Sequence, residues 1–593
     1  MLCTQGQLRY PLCMKTKKHR ASELDKAVAR IGEQEERIRK LEQQQKALLS
    51  VLSERSPTPE DQVLSSLLSS RRGSRSITSG GGEETSPLAK QIQEFFDEAC
   101  NSAVARAEAW SSSRTPDEVM KLEEEIAQHM REAGDRVTGA VLQAIVGDKE
   151  WERSVVKDLK GSTLRNVGRK EVDVSLLGGG SVKVDVPYLG KKKRKRRGRK
   201  RGRGRRGKGG AGLYPTLVVL GLFAHCTPAL ASDVARQVVS SSSYDEAQSA
   251  LARRGVVMDE KKVRRIVLAV GKEAVENRER MITQALQGKL QVGEWKGKRV
   301  VIAVDGGRLR TRVPKKRGRI PKGKKRRRFE AVWREPKIMV AYVIDEDGKR
   351  ERSYPVVLDG TLENADAVFR LMVGYLKMMG ADKASELTII GDGARWIWNR
   401  IDELVRAVGI DAKRVTAVVD FYHAVEHLQD VVDLRKGWSR RQRKLWLNKH
   451  RKLLREGKVE QVTAAIKTLC KGRRSKKMRT ELNYFINNAE RMRYKKFESR
   501  NIPIGSGAVE SAVRRVVNLR MKGNSIFWLE ENGESFLHLR CAYKADRWRE
   551  RILDVLNGRV TQAIAAVPPD NVIELRGRTP KSRTTKRTSR RAA

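Results

Sequence analysis

Apolar residues recur along this chain in three textures, and each predicts a different kind of structure. Residues 23–52 are rich in helix formers, with Leu24, Ile31, Ile38 and Leu52 in one seven-residue register and Leu41 and Leu48 in a neighbouring one. This predicts a short coiled coil over 1–54 and hence a homo-oligomer; a lone solvated helix would show the same pattern. Residues 55–87 lose the periodicity and are rich in Ser, Gly and Pro, which predicts a flexible linker. Helical spacing returns over 88–160. EVDVSLLGGGSVKVDVPYLG then alternates apolar and polar residues about three glycines, a hairpin pattern that closes the region 88–190. From 213 to 295 the spacing is helical again, with breaks at SSSS and GVVMDE. A helix, a tight turn and a basic helix carrying Lys261, Lys262, Arg264 and Arg265 predict a helix-turn-helix-like DNA-binding region, although small helical hairpins that bind nothing share the layout.

The third texture begins at 298. GKRVVIAVDGG is an apolar strand ending at Asp305, followed by a basic loop over 308–328. EPKIMVAYVIDEDGKRERSYPVVLDG reads as two strands joined by an Asp-Gly turn, and NADAVFRLMVGYLKMMGA as a helix. ELTIIGDGARWIWN is a strand ending at Asp392 that runs into a helix, and KRVTAVVDFYHAVEHL a strand ending at Asp420 and then a helix. Strand, strand, strand, helix, strand, helix, strand is the order of the ribonuclease-H-like fold. The fold class expected is therefore α/β: a ribonuclease-H-like catalytic domain over 296–428 and 501–560 with an all-α insertion over 429–500. Mainly α-helical DNA-binding and coiled-coil regions precede it, and a basic tail over 561–593 follows.

That order would set Asp305 and Asp392 side by side. Two Mg²⁺ ions (or Mn²⁺) can activate a water or a 3′-hydroxyl and stabilise the leaving oxygen of a phosphodiester, and a few carboxylates suffice to hold them. A third acid must come from a helix packed across the site. Glu510, in IPIGSGAVESAVRRVVNLRMKG, is the candidate, with Arg514, Arg515, Arg520 and Lys522 around it to hold phosphates. Taken singly these acids have plainer readings: an Asp before Gly is a turn former, and Glu510 can pair with Arg514 one turn on. In DFYHAVEHL, Asp420, His423 and His427 share a helical face; a zinc site lacks a fourth ligand, and a phosphate or supporting contact near the metals fits better. Trp438 and Trp446 read as core of the insertion. Trp528 either stacks on bases near a DNA end or packs in the core.

Charge sharpens this picture. The chain has 593 residues, with Lys plus Arg 124 against 72 acidic residues, a formal net charge of +52. Self-repulsion on that scale makes sense with a polyanionic partner, DNA or RNA. Fourteen of the eighteen residues in KKKRKRRGRKRGRGRRGK are basic, so residues 191–212 are expected to form a disordered arm that neutralises phosphates. Six scattered cysteines without a CxxC pair exclude a zinc ribbon and a disulfide framework. With no signal-peptide core near the start and no run long enough for a bilayer, the expected location is cytoplasmic and nucleoid-associated, with no membrane.

VDGG, WREPK, GDGARWIWN, VDFYHAVEHL and GSGAVESAVRRVVNLRMKG, in this order, resemble bacterial insertion-sequence transposases of the Kra type, DDE enzymes related to the Mutator-like group. The resemblance covers about 213–560. It implies DNA transposition, a divalent metal, and binding to the terminal inverted repeats of the element and to target DNA. It carries the catalytic and metal-binding roles onto Asp305, Asp392 and Glu510, and an accessory role onto Asp420 and His423, with Asp420 the replacement for Asp392 if the topology differs. The chain departs from the pattern ahead of residue 213, where relatives often carry cysteine pairs and this sequence has its basic arm. Two rival readings stay open: a DNA-binding protein that does not cut, such as a repressor, and a structure-specific nuclease of the same fold.

Overall fold

The computed structural model describes residues 86–109, 115–160, 164–191, 212–291, 293–315, 318–320, 322–323, 327–470 and 476–565, all within one unit spanning 84–593. The coiled coil expected over 1–54, nearly all of the expected linker and basic arm, and the tail from 566 lie outside the described residues.

Three helices open the described chain, α1 (Pro87–Ala109), α2 (Pro116–Gly147) and α3 (Lys149–Lys160). They lead into an antiparallel hairpin, β1 (Leu164–Ser175) and β2 (Ser181–Lys191). Its glycine turn is held from outside: the carboxylate of Asp135 on α2 accepts from the backbone N–H of Gly178 at 2.8 Å and of Gly180 at 2.6 Å. The inward residues of the hairpin, Val172, Val174, Val184 and Val186, form a small core with Val146 of α2 and with Leu217 of α4 (Pro215–Val219).

The next helices are α5 (Pro228–Ser240), α6 (Tyr244–Ala252) and α7 (Glu260–Leu286). Each of the last two starts on a side-chain cap, Ser243 accepting from Glu246 N–H and Asp259 from Lys262 N–H. The layout differs from a compact helix-turn-helix in one respect. α7 runs for 27 residues, and its buried stripe (Val263, Ile266, Val267, Val270, Ala274 and Ile282) joins the same hydrophobic core as the central sheet instead of closing a core of its own.

That sheet is built from β3 (Arg299–Gly306), β6 (Lys337–Ile344), β7 (Val357–Thr361), β8 (Glu386–Gly391) and β9 (Val415–Val419). Their order across it is β7-β6-β3-β8-β9. β6 runs antiparallel to both β3 and β7, whereas β8 and β9 run parallel to β3. Val300 to Val304 are all buried, so β3 is covered on both faces, which is why it reads as an unbroken apolar run. The helices α8 (Ala365–Met378), α9 (Arg395–Trp398) and α10 (Ile401–Val408) make the crossovers.

Between β3 and β6 lies an element the basic-loop expectation missed. β4 (Leu309–Pro314) and β5 (Phe329–Arg334) pair antiparallel as a separate two-stranded ribbon, so only the segment between them is loop. Arginines at alternate positions of β4 hid the strand: Leu309 and Thr311 on its other face are buried, but Arg310 and Arg312 merge with the basic run that follows and read as loop.

After β9 come α11 (Phe421–Asp433), α12 (Arg440–Arg455), α13 (Val459–Leu469), α14 (Lys476–Asn488) and α15 (Tyr494–Glu498), an all-helical stretch. Trp438 and Trp446 lie there with ring centres 6.0 Å apart, packed against each other. The chain returns to the sheet with α16 (Gly507–Val513), a π-helical turn at Arg514–Asn518, α17 (Glu530–Lys544) and α18 (Trp548–Ala565). Among the described residues no helix is long and apolar enough to cross a membrane.

Candidate active site

Strand register places the first two acids. Ala303 of β3 pairs with Ile390 of the parallel strand β8, so Asp305 and Asp392, each two residues further on, end adjacent strands at one level and on one face. Gly391 pairs with Val419 of β9, which brings Asp420 to that level as well. Adjacent strands lie about 4.8 Å apart, so the sheet edge offers three carboxyl groups in a row.

They are not equivalent. Asp420 is fully buried and both of its oxygens are engaged. Oδ1 accepts from the backbone N–H of His423 at 2.9 Å, capping α11, and Oδ2 accepts from the N–H of Ser506 just before α16. The next peptide repeats the link, Phe421 N–H donating to the carbonyl of Ile504 at 2.9 Å. Asp420 therefore ties the β9–α11 junction to the segment that carries Glu510. Asp305 and Asp392 each spend one oxygen on a local backbone N–H, of Gly306 at 2.7 Å and of Ala394 at 2.9 Å.

Glu510 stands in the first turn of α16, exposed, with Oε1 accepting from Ser506 Oγ at 2.9 Å and no ion pair to Arg514. α16 lies on β3 and β6, and its Val509, Ala512 and Val513, with Val516 and Val517 in the turn after it, are all buried. Burying each such valine contributes about 1.5–3 kcal/mol. Close approach depends on glycine at two places. A β-carbon on Gly307, just past Asp305, would stand 3.3 Å from Val513 and 3.2 Å from Pro336, and one on Gly505 would meet the Tyr422 ring at 2.9 Å. Gly507, by contrast, faces open space, so the close contact lies at the sheet end and at Gly505.

The electrostatics bind the three acids together. The Asp305 carboxyl is pushed up to about 6, first by burial and then by repulsion from Asp392 and Glu510; the Gly306 N–H and His423 oppose the shift. Asp305 thus feels both other carboxylates and resists ionising.

The π-turn after α16 is held by a buried arginine. Arg540 on α17 donates Nε to the carbonyl of Val516 at 2.8 Å, and its two terminal nitrogens to the carbonyls of Arg515 and of Val239 on α5. These bonds take up carbonyls that the wider turn leaves without helical partners. Sequence reading missed Arg540, as it missed Ser506 and Tyr484. Tyr484, on α14, donates its hydroxyl to the carbonyl of Asp392 at 3.3 Å, and burial beside Asp392 raises its phenol far above the ordinary range. Gly393 carries no side chain where Tyr484 stands, since a β-carbon would lie 2.6 Å from the ring. No local signal links residues that far apart in the chain.

Other expected site residues divide. Arg264, Arg265, Arg514, Arg515 and Lys522 are exposed and available to a polyanion. Arg520 is not: it is buried over the Tyr244 and Phe536 rings, and its Nε and one terminal nitrogen find no partner. Trp528 is 7% exposed, donates Nε1 to the carbonyl of Met521 at 2.9 Å and packs 4.7 Å from Phe536, so it belongs to the core and does not present a face to bases. His423 accepts or donates at Glu426 (3.1 Å), and His427 sits 2.6 Å from Glu481 and stacks on Tyr484. His427, Asp430 and Glu481 form a group whose donor atoms all lie within 4.8 Å; it excludes Asp420 and so differs from the zinc reading of the DFYHAVEHL face.

Comparison of the chain with protein-family models, with curated proteins and with solved structures gives no match.

Proposed function

We propose that this protein is a DNA transposase: an enzyme that binds the inverted-repeat ends of an insertion sequence, hydrolyses the phosphodiester there, and directs the freed 3′-hydroxyl at target DNA. The observation that carries the reading is the convergence of Asp305, Asp392 and Glu510. Two acids end adjacent parallel strands, β3 and β8, and one stands in the first turn of a helix packed on β3 and β6, and their mutual repulsion is felt at Asp305. Numbered within the sheet alone, the strand order is 3-2-1-4-5 with an antiparallel first half, the arrangement of the ribonuclease-H-like fold. The helical stretch between β9 and α16 then takes the place of the insertion. A net charge of +52 and the exposed arginines flanking Glu510 suit a double-stranded DNA substrate.

A divalent cation fits this donor set, because a carboxyl that holds its proton to about 6 among other acids marks a site short of positive charge. Mg²⁺ or Mn²⁺ held by Asp305, Asp392 and Glu510 would supply the activation of water or hydroxyl and the stabilisation of the leaving oxygen. The chain's own residues do the positioning. Ser506 orients the Glu510 carboxylate, Asp420 fixes Ser506 to the sheet, and Arg514, Arg515 and Lys522 can hold phosphates beside the acids. Asp420 and His423 are supports in this reading, and the coiled coil would bring two ends together in a homo-oligomer.

The test is cleavage of a labelled duplex carrying the inverted repeat that flanks the gene, with Mg²⁺ or Mn²⁺. Cuts at the repeat boundary should vanish in Asp305→Asn, Asp392→Asn and Glu510→Gln and only weaken in Asp420→Asn. Binding without cutting in the wild type would make this a non-catalytic DNA-binding protein. Cutting without regard to the repeat would make it a structure-specific nuclease.

A further inference from the structure

The β4–β5 ribbon leaves the sheet directly after Asp305. Cross-strand pairing sets Arg310 opposite Trp333, Arg312 opposite Ala331 and Pro314 opposite Phe329, so Arg310, Arg312, Trp333 and Phe329 occupy one face. Its aromatic members are open to solvent: Trp333 is 58% exposed and Phe329 42%. The Arg310 guanidinium lies 4.5 Å from the Phe527 ring centre and 5.6 Å from that of Trp333, and Phe329 and Phe527 are 5.2 Å apart. Arg310 also donates to the carbonyls of Gly523 and Asn524, which clamps the ribbon to the segment following the Glu510 helix. A solvated tryptophan loses apolar burial, so a chain that keeps one on a face held by Arg310 has a surface suited to a planar partner.

We propose that this face, led by Trp333, stacks on unpaired bases of a DNA strand end beside the acidic site; the inference rests on the DNA-directed reading above. Charge selects the partner. In the segment joining the two strands, Lys315, Arg319, Lys322 and Arg328 are exposed. A backbone phosphate satisfies those cations, and a base face satisfies the indole, with Arg310 adding a cation–π contact. An apolar protein partner would leave the cations uncompensated, and the interior of a paired duplex presents no free base face to the indole. The surface takes the part that the sequence alone offered to Trp528, which the fold instead buries.

The experiment uses the full-length protein in EDTA, so that no cleavage step enters. Fluorescence anisotropy compares a blunt duplex with the same duplex bearing a short oligothymidine overhang, and a 2-aminopurine in the overhang reports stacking by quenching. The wild type should favour the overhang. Trp333→Ala should lose about 5- to 150-fold of affinity for it, the range expected for one stacked base, while binding blunt duplex as before. Trp333→Phe should recover most of the difference, and thermal unfolding should be unchanged in both variants because the side chain is exposed. Equal affinity of the wild type for the two duplexes, or an unaltered overhang preference in Trp333→Ala, overturns the inference. Quenching that depends on Trp333 in a protein that never cuts with Mg²⁺ would leave this surface standing and remove the transposase reading.

Discussion

Replacing Asp305 by asparagine should make the metal-free protein more stable, and more so at alkaline than at acid pH. Asp305 is an acid whose native carboxyl is raised to about 6, with burial the largest cause and Asp392 and Glu510 next. The native state therefore holds a proton that the unfolded chain has released, and stability falls as pH rises through the window between about 4 and 6. A shift of about two units is worth at most ~3 kcal/mol, and screening at a half-buried carboxyl brings that to roughly 1–2 kcal/mol. Near pH 5 about half of that cost has developed, and above about pH 7 all of it has. Asparagine keeps an acceptor for the Gly306 N–H and carries no charge, so it removes the cost. For a cooperative unit of a few hundred residues the gain is a rise of about 2–4 °C in Tm per kcal/mol. The assay is thermal unfolding of wild type and Asp305→Asn in EDTA near pH 5 and near pH 8. Mg²⁺ should then raise the wild-type Tm and leave that of the variant nearly unmoved, because the ion neutralises the repulsion that asparagine has already removed. A variant less stable than wild type near pH 8, or a difference that does not change with pH, would refute the idea that these three carboxylates press on one another.

Three further substitutions separate positioning from packing. Asp420→Ala removes the cap of α11 and the acceptor of Ser506 N–H; it should cost about 1–3 kcal/mol in denaturant unfolding, with cleavage reduced but still measurable. Asp359 on β7 is 1% exposed, accepts from Tyr375 Oη at 2.7 Å and lies beside Arg278 and His538, so Asp359→Ala should cost about 3–5 kcal/mol by leaving the buried Tyr375 hydroxyl and His538 without their acceptor and removing one of the carboxylates around Arg278, which keeps Glu534 and Glu279. Trp528→Ala should cost about 3–5 kcal/mol on the same measurement, as expected for a buried aromatic, and the loss should not depend on DNA.

Much of the sheet is legible in the chain. Val300 to Val304 form an apolar run because both faces of β3 are covered, and the Asp-Gly turn between β6 and β7 announces itself by composition. The glycine-rich hairpin of β1 and β2 is equally plain. The β4–β5 ribbon was not legible, since the arginines of β4 merge with the basic run after it and look like loop. Nor could composition separate Arg520 from Arg514, Arg515 and Lys522. All four are basic and close in sequence, but the π-turn shifts the helical phase and rotates Arg520 inward, against Tyr244 and Phe536.

By itself the sequence determined the order of the five strands of the central sheet, the acids at the ends of β3 and β8, the single carboxylate Glu510 just ahead of the basic residues from Arg514 to Lys522, and a formal net charge of +52. These follow from local periodicity and residue type, which act over a few residues. Tertiary structure alone decided which acids are free. Asp392 and Asp420 end neighbouring strands in similar words, IGD and VVD, yet Ser506 N–H claims one oxygen of Asp420 and leaves Asp392 without such a tether. It also decided that Trp528 is core and Trp333 is surface. Hydrogen bonds and burial between segments scores of residues apart make that choice, and no local pattern encodes them.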